Sequence, residues 1–421
     1  MKKRKFSTYV IRFLLITMIL LSIILMIRIS VNIGSSTTQQ IQAQPASDMV
    51  RDDKKLLLPT SLYHHEQEKI YDASKESSAL EVMTALSQLE FYEKKHLDHL
   101  SVADLKKWQS FSNGVELNYT TPIDFHYLQS IYDLNIDRTP KIKMTDLWIN
   151  FDTKEVMLLN RQEKEGYLFG LNGHWKTFLK ETTAKFKHRY EVVNVSKDYI
   201  GYLPKDKVNF SVYTYMMSFQ PYNNVTQALF TNPNSVTTSG DDHHIVFTGD
   251  REEEMRVNNN NGVMSIVREM DDQWRGDGLL SSLAVVSRLG NDFGELRFVE
   301  NEGNNYYYYV FVEGYPIFTN YYRGQVEVSV SKQTMKLFMN QETIHVPVPE
   351  TKTITLKNGK TIMKDLQKHH IHLDRIERIQ LGYQWKEIKE EMQSAIQLIP
   401  TWFVHYDDEW VPLEDVLKGE G

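Results

Sequence analysis

The apolar positions of this chain begin as one block, which then gives way to short patterns of changing period. Residues 10–33 are almost wholly apolar, and within 13–27 only Thr17 and Ser22 are polar. A helix that crosses a bilayer needs about 20 mostly apolar residues at about 1.5 Å rise each. Arg12 and Arg28 flank the uncharged centre, where long side chains can snorkel to the headgroups and extend the usable length. Lys2, Lys3, Arg4 and Lys5 precede the block, so the positive-inside rule leaves residues 1–9 as a cytoplasmic basic tail and places everything after the span outside. The pattern predicts a transmembrane anchor over 10–33 and an extracytoplasmic body. A cleaved signal peptide is the alternative, with Gly34 and Ser36 as small residues at a cleavage site. Both readings export the rest of the chain.

After the block the chain is polar and aperiodic over 34–60, which predicts a linker. A first extracytoplasmic domain is expected over 61–187. Ser77 and Ser78 are placed to cap a helix carrying Leu80, Met83, Leu86 and Leu89. Ser101 with Asp104 forms a capping box ahead of Leu105 and Trp108. The alternation of Val115, Leu117 and Tyr119 predicts a strand, and Leu147 to Phe151 with Val156 and Leu158 predicts a hairpin across Asp152-Thr153-Lys154. A middle domain is expected over 188–291, with strands near 190–195, 210–216, 244–247 and 262–267 and a helix near 225–230. The Asn258 to Asn261 run before Gly262 suits a hairpin tip, because Asn tolerates left-handed backbone. A C-terminal domain is expected over 292–421. It has an aromatic strand at 306–312, alternating Val326, Val328 and Val330, a helix over 356–366 weakened by Gly359, and strands around 376–383 and 396–404. Pro400 belongs at an edge or a bulge, since it cannot donate to a ladder. Helices and strands follow one another irregularly, so the expected class is α+β, mostly antiparallel sheets with packed helices.

Composition adds exclusions. A chain of 421 residues exceeds one ordinary core. A net charge of −7 argues against nucleic acid as a partner. There is no cysteine, which removes disulfides, thiolate metal sites and cysteine nucleophiles.

Candidate chemistry is sparse. His64-His65, Asp241-Asp242-His243-His244 and His369-His370-His372 carry metal-ligand side chains, but zinc needs three or four converging ligands, and loop histidines account for all three clusters. No nucleophile elbow and no phosphate-cradling loop is present. The acid pairs Asp271-Asp272 and Asp407-Asp408 fall on polar turns. No catalytic residue, metal site or cofactor is therefore assigned. The aromatic residues Tyr306, Tyr308, Tyr315, Trp402 and Trp410 are candidates for a partner interface, because aromatics bury large areas at low entropic cost. Tyr306 and Tyr308 point to one sheet face, Tyr307 and Tyr309 to the other, so both faces need cover. In the anchor, Thr17 and Ser22 can hydrogen-bond to neighbouring transmembrane helices.

Several of these segments occur in a familiar order. Gly294-Glu295-Leu296 leads into the 307–318 strand and turn with Gly314-Tyr315-Pro316-Ile317-Phe318. Ile379-Gln380-Leu381-Gly382-Tyr383 follows, then Leu398-Ile399-Pro400-Thr401-Trp402-Phe403-Val404 and Asp408-Glu409-Trp410. The series resembles the YycH family, and the "LGY … PxW" pattern is shared with the YycI family, so 292–421 is expected to be a YycI-like domain. Ala228-Leu229-Phe230 before an Asn-Gly hairpin is similar to the YycH middle region. The resemblance covers 258–410 by motif and the earlier chain by architecture. It departs at the anchor, where Arg28 and Asn32 stand in a stretch in which family members often carry Trp. None of the shared motifs is catalytic. The resemblance implies a non-enzymatic, single-pass membrane protein that acts with a YycI-like partner. It would modulate the WalK (YycG) sensor histidine kinase, which controls cell-wall metabolism in Gram-positive bacteria, through transmembrane-helix contacts. A different class, an extracytoplasmic binding module that senses a cell-wall or lipid ligand, is the alternative, and it requires a concave pocket.

Overall fold

The computed structural model describes residues 15, 18, 50–67, 69–110, 112–173, 188–196, 199–270, 277–388, 395–407 and 409–419. The chain divides into two units, residues 1–48 and residues 49–421. In the first unit only Leu15 and Met18 are described; both are helical, with exposed side chains. The rest of the expected anchor, Thr17 and Ser22 included, lies outside the described residues. Among the described residues no helix is long and apolar enough to cross a membrane.

The second unit opens with a short helix, Asp53–Leu56, capped by the Asp52 carboxylate on the Lys54 amide. Leu56, Leu57 and Leu58, which close this segment, are completely buried. The linker expected over 34–60 therefore ends in packed structure, because three consecutive leucines have more to gain from burial than from a mobile tether.

Two large sheets follow. The first has ten strands in the spatial order Ile200–Pro204, Arg189–Asn194, Lys69–Asp72, Ser61–Glu66, Asn113–Asp124, Lys143–Asn150, Glu155–Asn160, Glu165–Asn172, Glu90–Leu97, Asn135–Ile136. All pairs are antiparallel except the last. The alternation read from the sequence holds: Val115 pairs with Ile149 and Leu117 with Leu147 on one buried face. The second sheet has fourteen strands. Its path runs from Thr237–Gly240 through the hairpins of 244–269, then Thr334–Asn340, Gln325–Val330 and Asn305–Val312. It continues through Tyr315–Phe318, Ile376–Glu387, Ala395–Tyr406 and Tyr213–Phe219 to Glu342–Val348. Strand Tyr315–Phe318 joins Ile376–Glu387 in parallel, and the rest of the path is antiparallel. A small two-stranded sheet pairs Val208–Ser211 with Thr353–Leu356. The class is α+β, sheet-rich and mostly antiparallel, with packed helices.

The sheets cross both divisions expected within the body. Strands 189–194 and 200–204 complete the first sheet, although the middle domain was expected to begin at 188. Strands 237–269 share a sheet with 305–340 across the division at 291/292. Local periodicity cannot anticipate such long-range pairing. One core cluster runs from Leu56 through both sheets to Leu398.

Turn chemistry follows the sequence closely. Gly262 closes the Asn258 hairpin at φ +73°, and a Cβ there would come within 2.5 Å of Asn340 Oδ1. Gly314 (φ +92°) lets its turn press on the Ser74 backbone of the other half, where a Cβ would meet it at 2.6 Å. Gly359, which weakened the expected helix interior, is its first residue: the helix is Gly359–Lys368, capped by Asn358. Pro400 pairs with Tyr383 on one side. On its other side strand 213–219 ends at Leu398 and strand 409–412 begins at Phe403, so Pro400 occupies a local edge.

Replacing Leu57 by Ala removes a fully buried side chain from the seam between the sheets, and is expected to cost about 3–4 kcal/mol. Urea denaturation measures it, with exposed Val50→Ala expected to stay within about 0.5 kcal/mol of the wild type.

Candidate functional site

The aromatic candidates occupy distinct places. Tyr308 is fully buried, and its hydroxyl meets Ser282 Oγ at 2.6 Å on the helix Gly278–Ser287. Tyr306 is half-buried beside it, against Gly278. Trp402 is buried and donates to the Lys357 carbonyl at 3.1 Å. Tyr315 donates to Asp72 at 2.7 Å, so it ties the second sheet to the first. Trp410 donates to Glu300 Oε1 at 3.2 Å and lies 4.8 Å from the Phe318 ring. Both faces of strand 305–312 are covered, as the alternation required: one by helix 278–287, the other by Phe318, Phe403 and Trp410. The surface candidates thus narrow to Tyr306, Tyr315 and Trp410. Met216, Phe219 and Val346 are more exposed than these (37%, 52% and 50%). Met216 and Val346 face each other across strands 213–219 and 342–348, and the latter strand ends the path of the second sheet.

The histidine clusters do not assemble into metal sites. His64 and His65 are buried on opposite faces of strand 61–66. His243 and His244 are exposed and take the Asp241 carboxylate through their backbone amides. His369, His370 and His372 are exposed. Asp407 is exposed and ion-paired with Arg375, while Asp271, Asp272 and Asp408 lie outside the described residues.

A buried charge network that periodicity did not reveal lies on the second face of the first sheet. Arg161 donates from Nε and Nη2 to Asp146 at 2.8 Å each, and from Nη2 to Glu116 at 3.0 Å. Asn118 bridges the two carboxylates, Tyr202 donates to Glu116, and Thr145 donates to Asp146 at 2.6 Å. Helix Val102–Gln109 helps to roof this face, packing Leu105 and Trp108 with Trp148 and Met157. Burial opposes the charge on Glu116, but neighbouring His65 and Arg161 outweigh it and hold the carboxyl below its ordinary range. Burial likewise opposes the charge on Arg161, and Asp146 with Glu116 more than offsets it. Glu116 and Asp146 are thus the ion-pair partners of Arg161. The sequence signal nearest to this face was the capping box at Ser101 and Asp104 ahead of Leu105 and Trp108.

The joint between the two sheets is polar at its rim. Arg378 donates to the Thr120 carbonyl at 3.2 Å, where strand 113–124 breaks register with strand 143–150. Thr121 meets Asn301 at 3.0 Å, and Tyr127 meets Asp277 at 2.5 Å.

A separate cleft of about 760 Å³ lies on the second sheet, lined by His244, Arg256, Asn258, Tyr321, Tyr322 and Phe338 among others. Its rim is strained: Tyr321 and Tyr322 both adopt left-handed backbone, at φ +61° and +57°, which costs roughly 1–2 kcal/mol per residue. Buried Asn340 holds the Tyr321 carbonyl at 2.8 Å, Arg323 pairs with Glu342 and Glu387, and Tyr322 stacks on Phe338 at 5.5 Å. Tyr321 is thereby kept 56% exposed over the cleft.

Comparison with known proteins fits this architecture. Residues 199–420, more than half of the chain, match the family model described as "YycH protein, C-terminal domain". The chain belongs to the YycH family. The match begins well ahead of residue 292, which agrees with sheets that cross that division. The crystal structure of YycH from Bacillus subtilis superposes with a TM-score of 0.70 at 14% identity, over 87% of this chain and 98% of that one. At that identity the likeness shows the YycH fold. Comparison with curated proteins gives no match.

Burial, reinforced by adjacent His65, lowers the His64 pKa from 6.5 to about 4. The folded state therefore keeps His64 neutral, while the unfolded chain takes up a proton below pH 6.5. Stability is expected to fall by roughly 2–3 kcal/mol as pH drops from 6.5 towards 4, and to level off below. Urea titrations across this range check the slope, which should flatten in His64→Gln.

Proposed function

We propose that this protein is a non-enzymatic, membrane-anchored extracytoplasmic regulator of a WalK (YycG)-type sensor histidine kinase, acting together with a YycI-like partner. Membership of the YycH family carries this reading, and the fold likeness to the Bacillus subtilis protein over nearly its whole length supports it. The apolar block 10–33 behind Lys2, Lys3, Arg4 and Lys5 supplies the anchor, with the N-terminus cytoplasmic. In this mechanism the body engages its partner through exposed surface. Tyr306, Tyr315 and Trp410 contribute half-buried edges, and the apolar Met216–Val346 pair offers the more accessible ground. The anchors then bias the kinase between two transmembrane arrangements through Thr17 and Ser22. A regulator shifts such an equilibrium only by its different affinity for the two states. Membrane passage of the signal is favoured by the way the body begins: the chain enters it at residues 50–58, directly in the seam between the sheets.

The cleft beside Tyr321 favours a second reading, a binding module for a cell-wall or lipid ligand. Backbone strain clusters at ligand clamps and active sites, and here it holds an aromatic outward over a recess with Arg, Asn and His side chains.

The absence of native cysteine makes a direct test clean. With Thr17→Cys or Ser22→Cys, bifunctional thiol reagents applied to native membranes are expected to join this protein to the kinase. An exported body lacking residues 1–33 should lose regulation. Absence of any kinase adduct, together with full regulation by the anchorless body, would overturn the mechanism.

A further inference from the structure

We propose that His96, Asp98 and Glu165 form a binding site for a divalent transition-metal ion of the zinc or manganese class. The three residues share one face of the first sheet. His96 pairs with Tyr167 across strands 90–97 and 165–172. Glu165 stands two residues before Tyr167 on its strand and so shares that face, and Asp98 directly follows the last residue of the other strand. His96 Nε2 lies 2.8 Å from Glu165 Oε1 and 3.2 Å from Asp98 Oδ1, and the three ligand atoms all fall within 4.8 Å of one another. Donors bound to a common ion at about 2.0–2.2 Å stand roughly 3.0–3.4 Å apart, so these spacings require only small adjustments.

A second observation points the same way. Two carboxylates whose oxygens lie within 4.8 Å of each other repel. Here a single imidazole nitrogen, with at most one proton, stands between them. A dication would compensate both charges, and one imidazole with two carboxylates is a donor set that suits zinc or manganese. The imidazole plane is fixed by stacking on Tyr167, with ring centroids 4.2 Å apart at 24°. All three side chains are partly exposed, so an ion has access and open positions for water. Because the ligands come from both strands, a bound ion would clamp strand 90–97 onto strand 165–172. Sequence reading passed over the trio because Glu165 is distant in the chain and neither segment carries a metal motif.

Metal-free full-length protein equilibrated with Zn²⁺, and separately with Mn²⁺, provides the test, read as bound ion per chain and by X-ray absorption at the metal edge. The expected result is one ion per chain, ligated by one imidazole and by oxygens. His96→Gln and Glu165→Gln should each weaken binding about tenfold or more, while melting without metal stays at the wild-type temperature. His243→Gln combined with His244→Gln, at another exposed pair, should keep the affinity. The proposal is overturned by a protein that binds no ion, by binding that survives both ligand substitutions, or by binding that disappears with His243 and His244.

Discussion

Burial of Leu56, Leu57 and Leu58 between the two large sheets is the interaction on which the rest of the body depends. Each leucine contributes roughly 1.5–3 kcal/mol by leaving water, but the segment does more than fill space. Buried backbone must find hydrogen-bond partners, and this segment finds them in both halves. Tyr119 and Tyr132 of the first half donate to the Leu57 and Lys54 carbonyls, while Arg297 of the second donates to the Pro59 carbonyl. The Arg51 amide is held by the Ser287 carbonyl, and the Arg51 guanidinium by those of Gly290 and Gly294. The two sheets are therefore joined through the stretch of chain that leads in from the N-terminal side.

Arg297 shows how far this joint is committed to fixed geometry. It is fully buried, and its guanidinium lies 4.4 Å from the Phe311 ring centre and reaches backbone carbonyls at Pro59 and Ser74. Burial lowers its pKa, and nearby Glu295 and Glu76 only partly restore it. Desolvating a cation at a joint is costly unless directional acceptors are already in place. Such a joint defines one arrangement of the two halves of the body.

Much of the local structure was legible in the sequence. The Ser101–Asp104 capping box, the Asn258–Gly262 hairpin, the alternation at 115–119 and 326–330, and the restriction on Pro400 all follow from short-range backbone chemistry. Helix 278–287 escaped notice because Leu279 to Val286 is apolar on nearly all sides, so no amphipathic period marks it. The domain divisions were misplaced because pairings such as 263–269 with 334–340 depend on contacts that composition does not encode. For the candidate sites, the aromatic run announced itself but proved to be largely core, since Tyr308 and Trp402 are interior. Glu116 falls between the alternating apolar positions Val115 and Leu117, and it is buried on the face that helix 102–109 helps to cover. The ligands at His96, Asp98 and Glu165 belong to segments that meet only in the folded sheet.

The claim that the incoming segment is locked between the sheets is tested most directly by native-state hydrogen exchange at the Leu56, Leu57 and Thr60 amides. These donate to the carbonyls of Asp52, Asp53 and Asn118. They are expected to exchange only through global unfolding, as slowly as the amide of Leu147 in the middle of the first sheet. Exchange as fast as that of the exposed edge strand Thr237–Gly240 would contradict the account and return residues 50–60 to the role of a tether.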